Sequence, residues 1–195
     1  GASPFRFRGS TLFDWMRSDD PRSRALSVSR QDRGAILPVG RAPQHVYWYA
    51  DDGRFTTSTY YADTLPAWVA AFNARRLPHA HVGGVWEPLL PDAAYAGAAP
   101  SAGSGARTAF PHRLPEDERR ALALMERWPW IDHITLQFAL AGITALDLGA
   151  GPQLDLLVVS LSATDAIGHR YGPFTKEVHD QLLRVDRWLG EFLDS

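Results

Sequence analysis

Hydrophobic and polar positions divide this chain into short segments of changing period. Ser10-Thr11-Leu12-Phe13-Asp14 predicts a helix start, because a cap hydroxyl and an acid three residues beyond Thr11 can satisfy the free amides of a first turn. That helix should stop before Asp20-Pro21. Ala25-Leu26-Ser27-Val28-Ser29 alternates like a strand, and Asp32-Arg33-Gly34 breaks the pattern at its exit. Two aromatic and Thr-rich runs, 45–49 and 54–59, flank Asp51-Asp52-Gly53, whose glycine can take positive φ, so a hairpin is predicted.

Downstream, 65–73 reads as a helix with Pro66 in its first turn, and 88–115 as a long irregular surface segment rich in Ala, Gly, Ser and Pro. Helices are predicted over 116–128 and 132–146. The run 154–160, with adjacent Leu156-Leu157-Val158-Val159, lacks alternation and predicts a strand covered on both faces, as in a parallel α/β sheet. Val178, Leu182, Val185, Leu189 and Leu193 then recur at helical spacing along an amphipathic helix. Strand, polar turn and helix form one α/β unit.

With 195 residues and 45% hydrophobic content the chain can build one sizeable core. A formal net charge of -2 leaves no electrostatic footprint for nucleic acid, and the seven Trp residues are not interleaved with basic ones as in a base-stacking platform. The absence of cysteine excludes disulfides and thiolate metal sites, so any metal must be held by Asp, Glu or His. No apolar run approaches the roughly 20 residues of a membrane span, and no basic-then-apolar leader is visible at the start.

The segment Ser162-Ala163-Thr164-Asp165-Ala166-Ile167-Gly168-His169 follows that predicted strand. Ligands collect at the carboxyl ends of strands in open α/β sheets, and an i,i+4 pair on one helical turn brings two side chains to one face. Asp165 and His169 together would suit zinc, and also manganese or iron. The bland alternative is that Asp165 caps the turn and His169 packs or bonds a carbonyl. His45, His79, His81 and His112 read as solvated loop or hairpin positions, although the two-residue spacing of His79 and His81 would suit a metal on a strand.

The whole segment from Val158 through Gly172-Pro173, with Glu177-Val178-His179-Asp180 and Leu183-Arg184-Val185-Asp186, closely resembles the metal-ligand segment of the alkaline phosphatase superfamily. The likeness is nearest to single-chain bacterial phosphatases and the related nucleotide pyrophosphatase/phosphodiesterases. It continues upstream at Thr11-Leu12-Phe13-Asp14-Trp15, at Ser27 through Pro38, at Tyr47-Trp48-Tyr49 and at Leu65-Pro66-Ala67-Trp68, in the family's order.

That resemblance implies an internal part of one α/β domain: a partial alkaline-phosphatase-like sheet flanked by helices. Residues 10–40 would carry a core strand and phosphate-contact loop, 41–115 a hairpin-containing cap insertion, and 116–195 core helices, strand and metal-ligand loop. It implies a phosphoester substrate, a periplasmic or secreted location, two zinc ions, and a Thr or Ser nucleophile that forms a phospho-enzyme. Asp165 and His169 would bind one zinc with a distant His, and Arg33 would contact phosphate oxygens.

This chain also departs from the family's pattern. The nucleophile and its neighbouring metal-binding Asp, the Asp-His pair of the second zinc and a last ligand His are expected outside residues 1–195. Asp132-His133 imitates that pair but stands at a helix start, and Thr11 reads as a helix cap. Gln31 occupies the Lys position of the monoesterase pattern Ser-x-Lys-Asp-Arg, which removes a positive donor and penalises dianionic monoesters more than diesters. The rival readings are a non-catalytic binding module that keeps the framework and, on Gln31 alone, a pseudoenzyme.

Overall fold

The structure is a computed structural model that describes residues 2–99 and 110–195, so the middle of the irregular segment expected over 88–115 lies outside the described residues. In chain order its elements begin with α1 (Leu12–Asp19), β1 (Ala25–Ser29), α2 (Asp32–Ile36), β2 (His45–Tyr49), β3 (Phe55–Thr56), α3 (Ala67–Ala74) and β4 (Val85–Trp86). They continue with β5 (His112–Arg113), α4 (Glu118–Leu124), α5 (Trp130–Leu146), β6 (Leu156–Ser160), α6 (Ala163–Tyr171) and α7 (Lys176–Leu193). Two compact units result, one from Gly1–Arg76 with Thr135–Leu161, the other from Leu77–Ile134 with Ser162–Ser195. The segment 41–115 is thus shared between them.

In the first unit, β1 is buried at every residue and pairs in parallel with β2 on one edge and β6 on the other. The hairpin forms as predicted, with Gly53 at φ +83° and the Ala50 amide donating to the Arg54 carbonyl at 2.8 Å. Because β2 also pairs with β1, the hairpin extends the central sheet, whose order is β3-β2-β1-β6. Successive side chains alternate between the sheet's faces. Ala25 and Val46 join Phe13, Ala35 and Ile36 in one cluster under α1 and α2. On the opposite face Tyr47 meets Trp68 of α3 and Phe138 of α5, with ring centroids 5.3 and 5.5 Å apart.

The reading of Thr11 as a helix cap holds in detail. Thr11 caps α1 reciprocally: its hydroxyl accepts from the Asp14 amide at 3.3 Å, and the Asp14 carboxylate accepts from the Thr11 amide at 2.7 Å. Gly142 permits α5 to approach the sheet, since a Cβ there would stand 2.5 Å from Leu26 Cδ2. The burial of β6 differs from expectation. All five of its residues are half-buried, because β6 is last in the strand order and takes a ladder partner, β1, on one edge among the described residues.

The second unit contains the two-stranded antiparallel ladder of β4 and β5, together with α4, α6 and α7. The helix α7 forms over the predicted span, but of the apolar stripe only Val178 is buried and Val185 half-buried. Leu182, Leu189 and Leu193 are exposed, whereas Glu177, Val178, Asp180, Gln181 and Trp188 are buried. Each buried polar side chain on this helix meets a partner within the unit, while the Gln181 Oε1 atom has none among the described residues. Asp180 accepts from Trp86 Nε1 at 2.6 Å, the Leu89 amide at 2.6 Å, the Tyr95 hydroxyl at 2.7 Å and Arg184 Nε at 2.7 Å. Glu177 pairs with His112 at 2.9 Å.

At the opposite end of the first unit's sheet from the β1 exit, Arg24 ties β1 to the end of α5 and the approach to β6. Its guanidinium donates to the Leu146 and Asp147 carbonyls at 2.6 and 2.8 Å and to Asp155 Oδ2 at 2.7 Å. The first of these satisfies the Leu146 carbonyl, which has no intrahelical partner at the helix end. Burial pushes the Asp155 carboxyl up, but the Arg24 guanidinium and the amides of Gly149 and Arg24 together hold it below the ordinary 3.8. A depressed folded-state pKa stabilises above the unfolded value and loses that contribution as pH falls through the folded one. Asp155→Asn should therefore cost about 1–3 kcal/mol at neutral pH. Urea unfolding from pH 7 to pH 2 should show a gap between wild type and variant that closes below pH ~4. A pH-independent gap would refute this assignment.

Candidate functional site

The exit of β1 carries the first group of site residues. Ser29 is fully buried and its hydroxyl accepts from the Gln31 amide at 3.1 Å, bending the chain into α2. The Ser27 hydroxyl donates to the Ala35 carbonyl at 2.6 Å and holds the helix on the strand. Gly34 makes that approach feasible: a Cβ would stand 2.5 Å from Ser29 Oγ and 3.2 Å from Ser160 Oγ. The Asp32-Arg33-Gly34 break is therefore a tight helical turn over the ends of two adjacent strands, whose Ser29 and Ser160 are in register. Arg33 projects from this turn, exposed, and among the described residues its guanidinium has no hydrogen bond or ion pair. Gln31, half-buried, holds the N-cap position without using its side chain to cap.

The second group lies on α6, in the second unit. Ala163, Ile167 and Tyr171 are its buried face, so Asp165 and His169, one turn apart, stand on the outward side. Their side chains are 64% and 82% exposed, and His169 Nε2 lies 3.4 Å from Asp165 Oδ1. Two donors of a tetrahedral zinc, each about 2.0–2.2 Å from the ion, stand roughly 3.3–3.5 Å apart. The pair thus spans the bite of one ion as it stands, and the bland expectation that His169 packs does not hold. Among the described residues no group of three or more His, Cys, Asp or Glu side chains gathers as a metal site.

Asp132 has a structural role. Fully buried, it accepts from the Ala163 amide at 3.1 Å through Oδ1 and from Gln181 Nε2 at 2.8 Å through Oδ2, anchoring the start of α6. His133 stacks on Trp188 with centroids 5.0 Å apart, and burial holds its pKa below the ordinary value against the opposing pull of Glu191. The pair is thus occupied in packing, as its helix-start position suggested.

The solvated-loop reading fails for several histidines. His112 is buried on β5 against Glu177 and the Tyr171 ring. His81 stacks on Trp130 at 4.5 Å, and burial, then His133, lowers its pKa. Half-buried His45 opens β2, its pKa lowered by burial and then by Arg24. His79 and His81 share a 3₁₀ turn, not a strand. The signal that would have found Glu177, Asp180 and Gln181 is their own helical spacing with Arg184 and Trp188, which apolar pattern reading ignores.

Comparison with known proteins gives a consistent result. The family model described as type I phosphodiesterase / nucleotide pyrophosphatase matches residues 13–195. The chain is 39% identical to alkaline phosphatase PhoV of Synechococcus elongatus over 98% of its own length and 36% of that protein's. It is 36% identical to alkaline phosphatase PafA of Elizabethkingia meningoseptica, over 89% of this chain and 33% of that protein. The crystal structure of wild-type PafA superposes with a TM-score of 0.85 at 34% identity, covering 95% of this chain and 38% of PafA's. The chain therefore spans about a third of the length of the curated relatives it matches.

Asp132 is the contact through which α6 is most directly tested. Asp132→Ala strands the Ala163 amide and the Gln181 side-chain amide in a buried environment, a cost of about 1–3 kcal/mol. Hydrogen exchange should speed up at the first turn of α6 while remaining unchanged in β1 and β2. Unchanged protection at Ala163 would show that Asp132 does not hold this helix.

Proposed function

We propose, for a chain that belongs to the type I phosphodiesterase / nucleotide pyrophosphatase family within the alkaline phosphatase superfamily, that the intact protein is a zinc-dependent phosphoester hydrolase. Residues 1–195 are an internal part of its catalytic domain, with Thr or Ser nucleophile and further metal ligands lying outside them. The observation that carries this reading is the Asp165–His169 pair, two exposed donors 3.4 Å apart on a helix anchored at its start. Its place shortly after the carboxyl end of β6 is where α/β sheets build sites. The named activity of PhoV and PafA, alkaline phosphatase, supports the same reaction class.

In this reading Asp165 and His169 hold one of two zinc ions, Asp165 as carboxylate and His169 as neutral imidazole. The bound metal would supply Lewis-acid stabilisation of charge developing on phosphoryl oxygens. Arg33 binds and orients the phosphoryl group: its forked donors match two oxygens at once, and no carboxylate within the described residues competes for them. Gln31 beside it donates without adding charge. A singly charged diester is then favoured over a dianionic monoester more than it would be with Lys at that position. The proposed location is periplasmic or secreted. Among the described residues no helix is long and apolar enough to cross a membrane.

Steady-state hydrolysis of aryl phosphate mono- and diesters by the intact protein tests the reading. Asp165→Ala should lower kcat/KM at least about a hundred-fold, since loss of a metal ligand removes several kcal/mol of charge stabilisation. The isolated residues 1–195 should show negligible turnover with zinc added. An intact protein that turns over neither ester would favour the non-catalytic module, and robust activity in Asp165→Ala would remove the pair from the site. Gln31→Lys should shift the monoester-to-diester ratio of kcat/KM upward about ten-fold, the worth of one hydrogen bond to a charged group. An unchanged ratio would leave Gln31 without a part in selectivity.

A further inference from the structure

Beside Arg33, within the first unit, the segment 2–7 and α2 enclose an open cavity of about 610 Å³. This falls in the size range of small-molecule sites, roughly 300–1,000 Å³. Its wall is held in place: Pro4 is buried, the Phe7 amide donates to the Pro4 carbonyl at 2.8 Å, and Ala2 packs on the core cluster. Gly40, at φ +59°, lets Phe7 come close, since a Cβ there would lie 3.1 Å from the Phe7 ring.

The lining combines two chemistries. Arg6 and Arg33 both present exposed guanidiniums that form no ion pair among the described residues, against a single carboxylate, Asp32, which accepts from the Arg33 amide at 2.6 Å. Phe5 and Leu37 line the same cavity and are 74% and 51% exposed, over the buried Ile36. Two exposed guanidiniums without an ion-pair partner among the described residues, and large apolar side chains around the same concavity, describe a receptor for an anion with an apolar body.

We infer that this cavity is a leaving-group subsite, in which Arg6 and the Phe5–Leu37 surface select phosphoesters whose alcohol carries an apolar body and a second negative charge. The inference rests on the hydrolase reading for its place in the reaction, with Arg33 on the phosphoryl group. Arg6 is a specificity-determining residue that touches the ester's far end. It restores at the leaving group some of the anion affinity that Gln31 withholds from the phosphoryl group.

Calorimetric titration of the intact protein with two non-hydrolysable probes, phenylphosphonate and 4-carboxyphenylphosphonate, tests this directly. In wild type the added carboxylate should tighten Kd about three- to ten-fold, as one charge-assisted hydrogen bond in a partly exposed site does. The increment should vanish in Arg6→Ala and persist in part in Arg6→Lys, while Leu37→Ala should weaken both probes alike. Equal increments in wild type and Arg6→Ala, or no binding of either probe by wild type at millimolar concentration, overturns the subsite. Ester hydrolysis measured on the same samples separates the two claims: no turnover with the Arg6-dependent increment intact overturns the hydrolase reading, and with it the leaving-group assignment, while Arg6 keeps its part in anion binding.

Discussion

The second unit depends on one constraint, that α7 buries Glu177 and Asp180 beside Val178 and Trp188, so that two buried carboxylates must find donors. A buried carboxylate without donors costs far more than a hydrogen bond returns. Asp180 meets this requirement with four donors, from Trp86, Leu89, Tyr95 and Arg184, and so fixes β4 and the 3₁₀ turn Asp92–Tyr95 to one turn of α7. Glu177 does the same for β5 through His112, and Gln181 reaches Asp132, which in turn holds the first amide of α6. The helix that carries Asp165 and His169 is thus held by a buried polar contact at its first amide together with the apolar packing of Ala163, Ile167 and Tyr171. The polar contact is directional and fixes the first turn of the helix that carries both side chains.

In the first unit the corresponding constraint is steric. The turn that presents Arg33 and Gln31 sits so close to the ends of β1 and β6 that a side chain at residue 34 would meet two serine hydroxyls. Glycine there, with Ser27 and Ser29 hydrogen-bonded to the backbone of the turn, gives a rigid exit from a fully buried strand. A constrained turn and an exposed guanidinium are thus supplied by adjacent residues.

Much of this was legible from local pattern. The Thr11 cap, the β1 strand, the Asp51-Asp52-Gly53 turn and the span of α7 follow from interactions between residues a few positions apart. So does the pairing of Asp165 with His169, because an i,i+4 spacing on a helix determines proximity whatever surrounds it. The half-buried state of β6, the outward turn of Leu182 and Leu189 and the buried state of His112 were not legible, because each depends on partners far away in the chain.

By itself, then, the sequence determined the α/β class, the family and the short-range chemistry: a carboxylate and an imidazole one turn apart, and an arginine at a strand exit. Such features rest on periodicity and covalent neighbourhood. Tertiary structure alone decided which face of α7 is buried, that Asp132 anchors α6, and that Arg6 and Arg33 share one cavity across 27 residues of chain. These outcomes rest on desolvation and hydrogen-bond satisfaction among distant residues, and no local pattern encodes which distant donor a buried acceptor will meet.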